Sequence, residues 1–199
     1  MTVLYSVSKN CLRSFFWAFY SHEVALHTPS IQGAIIAANH ASFFDPPLIA
    51  ASWPEPIHFL ARKTLFDVPI LRPLIQKLNA HPLSTKGQMG ALKQMTELLQ
   101  EKKTILIFPE GTRSTDGSIA PFKSGVGLLA KRANAPIIPA YIHGSFQIWP
   151  RSKGWPHLFG YHSMCLFGAP IWPEEEVEKE ALTQRVEDAV RLLQNKVSL

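Results

Sequence analysis

Two cysteines in 199 residues, Cys11 and Cys165, stand far apart with no Cys-x-x-Cys and no Cys/His ligand spacing around them. That scarcity excludes a disulfide framework and a cysteine-bound zinc, and it fits a reducing cytoplasm. Uncharged apolar runs are short as well. None approaches the ~18 residues that would cross a bilayer, and the longest aromatic block near the start runs only from Phe15 to Tyr20. No small-residue cleavage site follows it, so neither a spanning helix nor a secretory leader is expected. Internal repeats, low-complexity tracts, a linker, a Gly-x-Ser-x-Gly turn and nucleic-acid-binding motifs are also missing, which sets a nucleic-acid partner aside.

What is present is ordinary core material. With 46% hydrophobic and 18% charged residues the chain is long enough for one compact domain. Its net charge of +5 is uneven: residues 174–199 hold seven acids and four bases, leaving sixteen bases against eight acids in residues 1–173. Such a body is attracted to anionic surfaces.

From Val3 to about Leu26, Leu4, Val7, Cys11, Phe15 and Phe19 recur at helical spacing, with Lys9 and Arg13 opposite. This predicts an amphipathic helix, which can lie in a membrane interface or pack on its own domain. Strands are expected at Ala34 to Ala38, Ile57 to Ala61, Ala80 to Leu83, Thr104 to Phe108, Ile137 to Ile142 and His162 to Phe167. Between them lie predicted helices: one starting with Asp45 as N-cap and running to Ser52, a proline-broken one from Leu65 to Leu78, one from Gln88 to Lys102 and one from Ser124 to Ala133. A last helix, from Glu174 to about Lys196, begins acidic and ends basic. The alternation implies an α/β single-domain sandwich, with a mostly parallel central sheet covered by helices and preceded by the amphipathic helix. The expected division is residues 1–28 for that helix and 29–199 for the domain.

Two strings follow predicted strands, where open sheets of this class place ligands. The first is Asn39-His40-Ala41-Ser42-Phe43-Phe44-Asp45. On one continuous helix His40 and Asp45 would diverge by about 140°, so they can meet only if the intervening residues curl. Asp45 can then orient the imidazole as a base, or it can simply cap the helix. Ser42 is the only hydroxyl near enough to be considered a nucleophile; direct attack by a substrate hydroxyl is simpler. The second string is Phe108-Pro109-Glu110-Gly111-Thr112-Arg113-Ser114. Gly111 allows close backbone approach, Thr112 and Ser114 offer hydroxyls, and Arg113 can grip a phosphate. Glu110 would repel phosphate and suits fixing the Arg113 fork or binding a hydroxyl. Ordinary turn chemistry is the competing explanation.

Asn39-His40-x-Ser42-x-x-Asp45-Pro46 followed by Phe108 to Ser114 resembles the glycerolipid acyltransferases, most closely the bacterial 1-acylglycerol-3-phosphate (lysophosphatidate) acyltransferases. The similarity continues through Phe122-Lys123-x-Gly125, Pro136-Ile137-Ile138-Pro139 and Phe167-Gly168-Ala169-Pro170-Ile171, covering about residues 33–171. It implies transfer of a fatty acyl group from acyl-coenzyme A or acyl carrier protein to the free hydroxyl of lysophosphatidate, giving phosphatidate. It also implies His40 as general base, Asp45 as its partner, and Glu110, Gly111 and Arg113 at the glycerol phosphate. Asn39, Ser42, Thr112, Ser114 and Lys123 join the expected substrate-binding set. The family's arginine between the strings is replaced by Thr85, with Lys86 the nearest substitute charge. Neither a metal nor a cofactor is called for.

Scarce cysteine, the lack of a spanning run or leader, and the basic amphipathic first helix lead to the expectation of a peripheral enzyme on the cytoplasmic face of an anionic membrane. Trp149, Arg151, Lys153, Trp155 and Phe159 interleave aromatics with cations in a way that suits lipid headgroups or ordinary loop packing. Rival activities are transfer to another lysophospholipid, a thioesterase using the same pair on water, and a non-catalytic lipid-binding protein.

Overall fold

The computed structural model describes residues 3–28, 30–69, 71–77, 79–83 and 87–197. Among these residues seven strands form one sheet: β1 (Glu23–Leu26), β2 (Ile35–Ala38), β3 (Ile57–Ala61), β4 (Ala80–Pro82), β5 (Thr104–Ile107), β6 (Ile137–His143) and β7 (Met164–Phe167). Their spatial order is β1-β7-β6-β2-β5-β3-β4, and every pairing is parallel except β6 with β7. The helices are α1 (Val3–Tyr20), α2 (Asp45–Ser52), α3 (Leu71–Lys77), α4 (Gly87–Gln100), α5 (Gly125–Ala133), α6 (Ser145–Ile148) and α7 (Lys179–Val197), with a 3-10 turn at Lys63–Asp67.

Strand β2 is apolar at every position because both of its faces are covered, as expected of a central parallel strand. Ile36 and Ala38 pack under α1 and α2 with Phe16, Tyr20, Leu48, Ile49 and Trp53. Ile35 and Ala37 face Leu92, Leu99, Val126, Leu129, Leu182 and Val186 from α4, α5 and α7. Each such fully buried isoleucine or leucine contributes about 1.5–3 kcal/mol. Helices α5 and α7 approach so closely that a Cβ on Gly127 would stand 2.2 Å from the Lys179 carbonyl oxygen.

The first helix stops earlier than its periodicity suggested. Ser21 adopts a left-handed φ of 44°, and the following residues run as β1 alongside β7, with Glu23 opposite Met164 and Leu26 opposite Phe167. A four-residue strand with three consecutive apolar positions, Val24, Ala25 and Leu26, cannot be told from a helix tail by periodicity. The aromatic face of α1 is turned inward: Tyr5, Phe16 and Tyr20 are buried, and the Tyr5 hydroxyl accepts from the Ile57 N–H at 3.1 Å. Lys9 ties back to the Trp53 carbonyl, and to that of Pro54 at 2.7 Å. The last helix begins at Lys179 instead of Glu174, because the Lys131 ammonium gathers the carbonyls of Glu174, Glu175 and Val177 into a turn.

The expected helix from Leu65 to Leu78 is divided into the 3-10 turn, which ends at Asp67, and α3; Pro69 lies in the break, whereas Pro73 is accommodated in the first turn of α3. Leu78 lies outside the described residues.

Candidate active site

Because β2 pairs directly with β5, Ala37 opposite Ile107, the two strings leave the sheet side by side at the carboxyl ends of their strands. Two hydrogen bonds of the His40 backbone then weld them. The Ser114 N–H donates to the His40 carbonyl at 2.7 Å, and the His40 N–H donates to Glu110 Oε1 at 2.6 Å.

The string after β2 curls as its geometry requires. Asp45 Oδ2 accepts three hydrogen bonds: from the Ala41 N–H at 2.6 Å, the Ser42 N–H at 2.7 Å and His40 Nδ1 at 2.8 Å. Asp45 is therefore the first residue of α2, and Phe44 occupies the N-cap position without a side-chain cap bond. The expectation of Asp45 as N-cap is corrected: its carboxylate turns back toward the preceding loop, and Pro46 and Pro47, lacking N–H groups, leave little at this helix start to cap. Asp45 is 0% exposed, whereas His40 retains 19%. An Nδ1–H held by a carboxylate leaves Nε2 as the acceptor nitrogen. The imidazole lies flat on Phe108, centroids 4.0 Å apart at 15°. Phe44, next to Asp45, sits among Phe15, Phe16, Tyr20 and Trp149, so the inward face of α1 supports the loop that holds His40.

Glu110 is buried and grips backbone with both oxygens, the second accepting from the Ala120 N–H at 2.9 Å. Burial raises its pKa, and the two N–H donors partly offset that. It does not pair with Arg113. That guanidinium lies over the Phe43 ring, 3.6 Å from the centroid, and its buried Nη1 has no hydrogen-bond partner among the described residues. Burial lowers the Arg113 pKa, as do the nearby charges of Arg151 and Arg62, while Asp45 opposes them. Gly111 holds a left-handed φ of 75°, and a Cβ there would meet Lys123 Nζ at 2.6 Å. This brings the Lys123 ammonium to the second string. Thr112 is exposed beside it.

Other expected binding residues have polar groups engaged inside the fold. Asn39 bridges to β6, donating to the Ile142 carbonyl at 3.1 Å and accepting from its N–H at 2.7 Å. The Ser42 hydroxyl, fully buried, donates to the Trp149 carbonyl at 2.9 Å. Ser114 Oγ donates to Asp116 Oδ1 at 3.0 Å and accepts from the Gly117 N–H. Thr85 and Lys86 lie outside the described residues. Sequence reasoning missed the Phe43 and Phe108 platforms and the nearness of Arg62 and Arg151. Arg62 immediately follows β3, so the strand-end rule was a usable signal for it.

The ends of adjacent strands thus present a carboxylate-held imidazole and a guanidinium that has no ion-pair partner among the described residues. The sequence model of the acyltransferase family matches residues 22–143, and the chain belongs to that family. Among its relatives is the 1-acyl-sn-glycerol-3-phosphate acyltransferase of Bacillus subtilis, 28% identical over 179 residues, which are 85% of this chain and 85% of that protein. The chloroplastic 1-acyl-sn-glycerol-3-phosphate acyltransferase BAT2 of Brassica napus is 29% identical over 119 residues, 58% of this chain. The chain spans only 34% of that plant protein's length. The crystal structure of the 1-acyl-sn-glycerophosphate (LPA) acyltransferase PlsC from Thermotoga maritima superposes with a TM-score of 0.83 at 28% identity, covering 98% of this chain and 80% of that one.

Proposed function

We propose that the protein transfers a fatty acyl group from a thioester, carried on coenzyme A or acyl carrier protein, to the free hydroxyl of lysophosphatidate. The observation that carries this reading is the 2.8 Å His40–Asp45 pair, tied to the Glu110–Ser114 loop by two hydrogen bonds of the His40 backbone. His40 Nε2 takes the acceptor's hydroxyl proton while that oxygen attacks the thioester carbonyl. The tetrahedral intermediate collapses with loss of thiolate, and the imidazolium returns the proton to sulfur, leaving phosphatidate and free thiol. Asp45 stabilises the transient imidazolium. Arg113 and Lys123 receive the phosphate, Gly111 and Thr112 shape its approach, Glu110 holds the loop, and Lys86, outside the described residues, remains the sequence's substitute for the arginine replaced by Thr85.

The reading includes a peripheral enzyme on the cytoplasmic face of an anionic membrane. No helix among the described residues is long and apolar enough to cross a membrane. Support for surface attachment comes from Trp17, Phe159 and Trp155, which are 70%, 70% and 85% exposed. Phe159 packs on Phe19 of α1 at 5.4 Å, joining the loop to residues 1–28.

The deciding experiment incubates acyl-coenzyme A and acyl carrier protein thioesters with and without lysophosphatidate and identifies the lipids. Phosphatidate formed only with acceptor present is the expected result. Equal release of free fatty acid without acceptor would instead identify a thioesterase, and no turnover at all a lipid-binding protein. Trp155→Ser with Phe159→Ser is expected to weaken sedimentation with phosphatidylglycerol vesicles several-fold; undiminished sedimentation removes the surface role.

A further inference from the structure

Arg151 belongs to the aromatic and cationic stretch that sequence alone assigned to headgroups or loop packing, but the fold ties the start of that stretch to the base. Pro150 pairs with Ser42 as an isolated antiparallel bridge. The Trp149 carbonyl accepts from Ser42 Oγ at 2.9 Å and from the Phe43 N–H at 3.3 Å. The Trp149 ring packs on Phe43 at 4.9 Å, the same ring that carries the Arg113 guanidinium at 3.6 Å. Arg151 is thus anchored one residue beyond a bridge whose other strand lies two residues from His40.

The charges around this platform are unbalanced. After burial, Arg151 is the leading influence lowering the Arg113 pKa, and Arg62 adds to it. No member of this group of three arginines forms an ion pair with a carboxylate among the described residues. Among the described residues the acid felt by Arg113 is Asp45, whose Oδ2 takes three donors and whose buried Oδ1 has no hydrogen-bond partner; it forms no ion pair with the guanidinium and supplies one negative charge against three positive ones. Cations held together in this way repel one another until an anion sits between them. A second charge on that anion is rewarded, and a phosphomonoester carries about −1.5 to −2 near neutrality, where a diester carries one.

We propose that Arg151 is a specificity residue that, with Arg113, grips the free phosphate of a phosphomonoester lysolipid and so favours it over lysolipids whose phosphate is esterified further. This rests on the acyl-transfer reading above and adds a residue and a selectivity to it.

The test compares wild type, Arg151→Ala and Arg151→Lys with lysophosphatidate, a monoester, and lysophosphatidylglycerol, a diester used as acceptor or as competitive inhibitor. Both are presented in mixed micelles at pH 6 and pH 8. Arg151→Ala is expected to raise the lysophosphatidate KM about tenfold with kcat within about twofold. Its constant for lysophosphatidylglycerol stays within about twofold, so the preference falls about tenfold. Arg151→Lys recovers part of the loss, because it keeps the charge without the planar fork. Wild-type KM for the monoester falls as pH rises and the phosphate sheds its second proton; in Arg151→Ala that fall is blunted. Sedimentation with phosphatidylglycerol vesicles stays unchanged. An equal rise for both lysolipids, or an unchanged preference with weakened vesicle binding only, overturns the assignment. If wild type acylates lysophosphatidate and the preference survives Arg151→Ala, this assignment alone fails; if wild type transfers no acyl group, the acyl-transfer reading fails with it.

Discussion

Asp45→Asn separates two jobs that one carboxylate performs. Oδ2 latches the loop through the Ala41 and Ser42 N–H groups and also faces His40 Nδ1 at 2.8 Å. An asparagine side-chain oxygen can still accept the two backbone donors, so the fold survives. What disappears is the negative charge opposite the imidazolium that forms as the acceptor loses its proton. With charge centres about 4 Å apart and an effective dielectric of about 20, that attraction is about 4 kcal/mol, equivalent to about 10³ in rate. Since the amide dipole retains part of it, kcat is expected to fall about 10²- to 10³-fold, with melting temperature shifted by only a few degrees. Asp45→Ala differs: two backbone donors are left in a buried loop at about 1–3 kcal/mol each, and stability drops along with activity. Release of free thiol from acyl-coenzyme A in the presence of lysophosphatidate measures the first effect, and thermal unfolding the second. Asp45→Asn turning over within about threefold of wild type would refute the charge argument and leave only the latch.

Arg113→Ala is expected to raise the acceptor KM about tenfold while kcat changes little, because a charge-assisted hydrogen bond to phosphate is lost; an unchanged KM in steady-state kinetics would put the phosphate elsewhere. Buried His22 bonds Ser52 Oγ at 2.7 Å and Ser163 Oγ at 2.9 Å, and burial lowers its pKa to about 4. The folded state therefore resists a proton that the unfolded chain accepts near pH 6.5, so His22 contributes stability that is present above that pH and lost as pH falls toward 4. Between pH 7.5 and 4.5 the loss is about 2.5 kcal/mol, and urea midpoints for His22→Gln should show acid sensitivity reduced by about that amount. His58, also lowered to about 4 by burial and by His81, retains its own share. Identical acid sensitivity in the variant would show that His22 titrates normally.

Much of the site was legible because its signals are local. An apolar run ending at Asn39 and two prolines after Asp45 bracket a loop too short to do anything but curl, and that curl brings acid to imidazole. The direction of the Asp45 side chain was not legible. Capping forward and latching backward use the same residue, and the choice depends on which N–H groups the folded loop presents. Glu110 is similar: its partners, the N–H groups of His40 and Ala120, come from distant and nearby backbone alike, and no spacing rule announces them. The sheet's alternation with helices gave away its parallel character, but β1 is short and acquires its identity only from Met164 to Phe167 across the chain. The aromatic face of α1 was ambiguous for a related reason: membrane and protein interior ask the same residues of a helix.

That long reach has a consequence for the order of assembly. His22 and Ser163, which meet at 2.9 Å, are 141 residues apart, so at a ribosome making about 5–20 residues per second the opening helix waits about 7–30 s for the strand that closes its edge of the sheet. During that interval Phe16 and Tyr20 can meet Phe44, Leu48 and Trp53, but Cys165 and Phe167 of the same cluster are still to be made. Until then β1 is a strand without its neighbour, an open edge of backbone that a chaperone can shield.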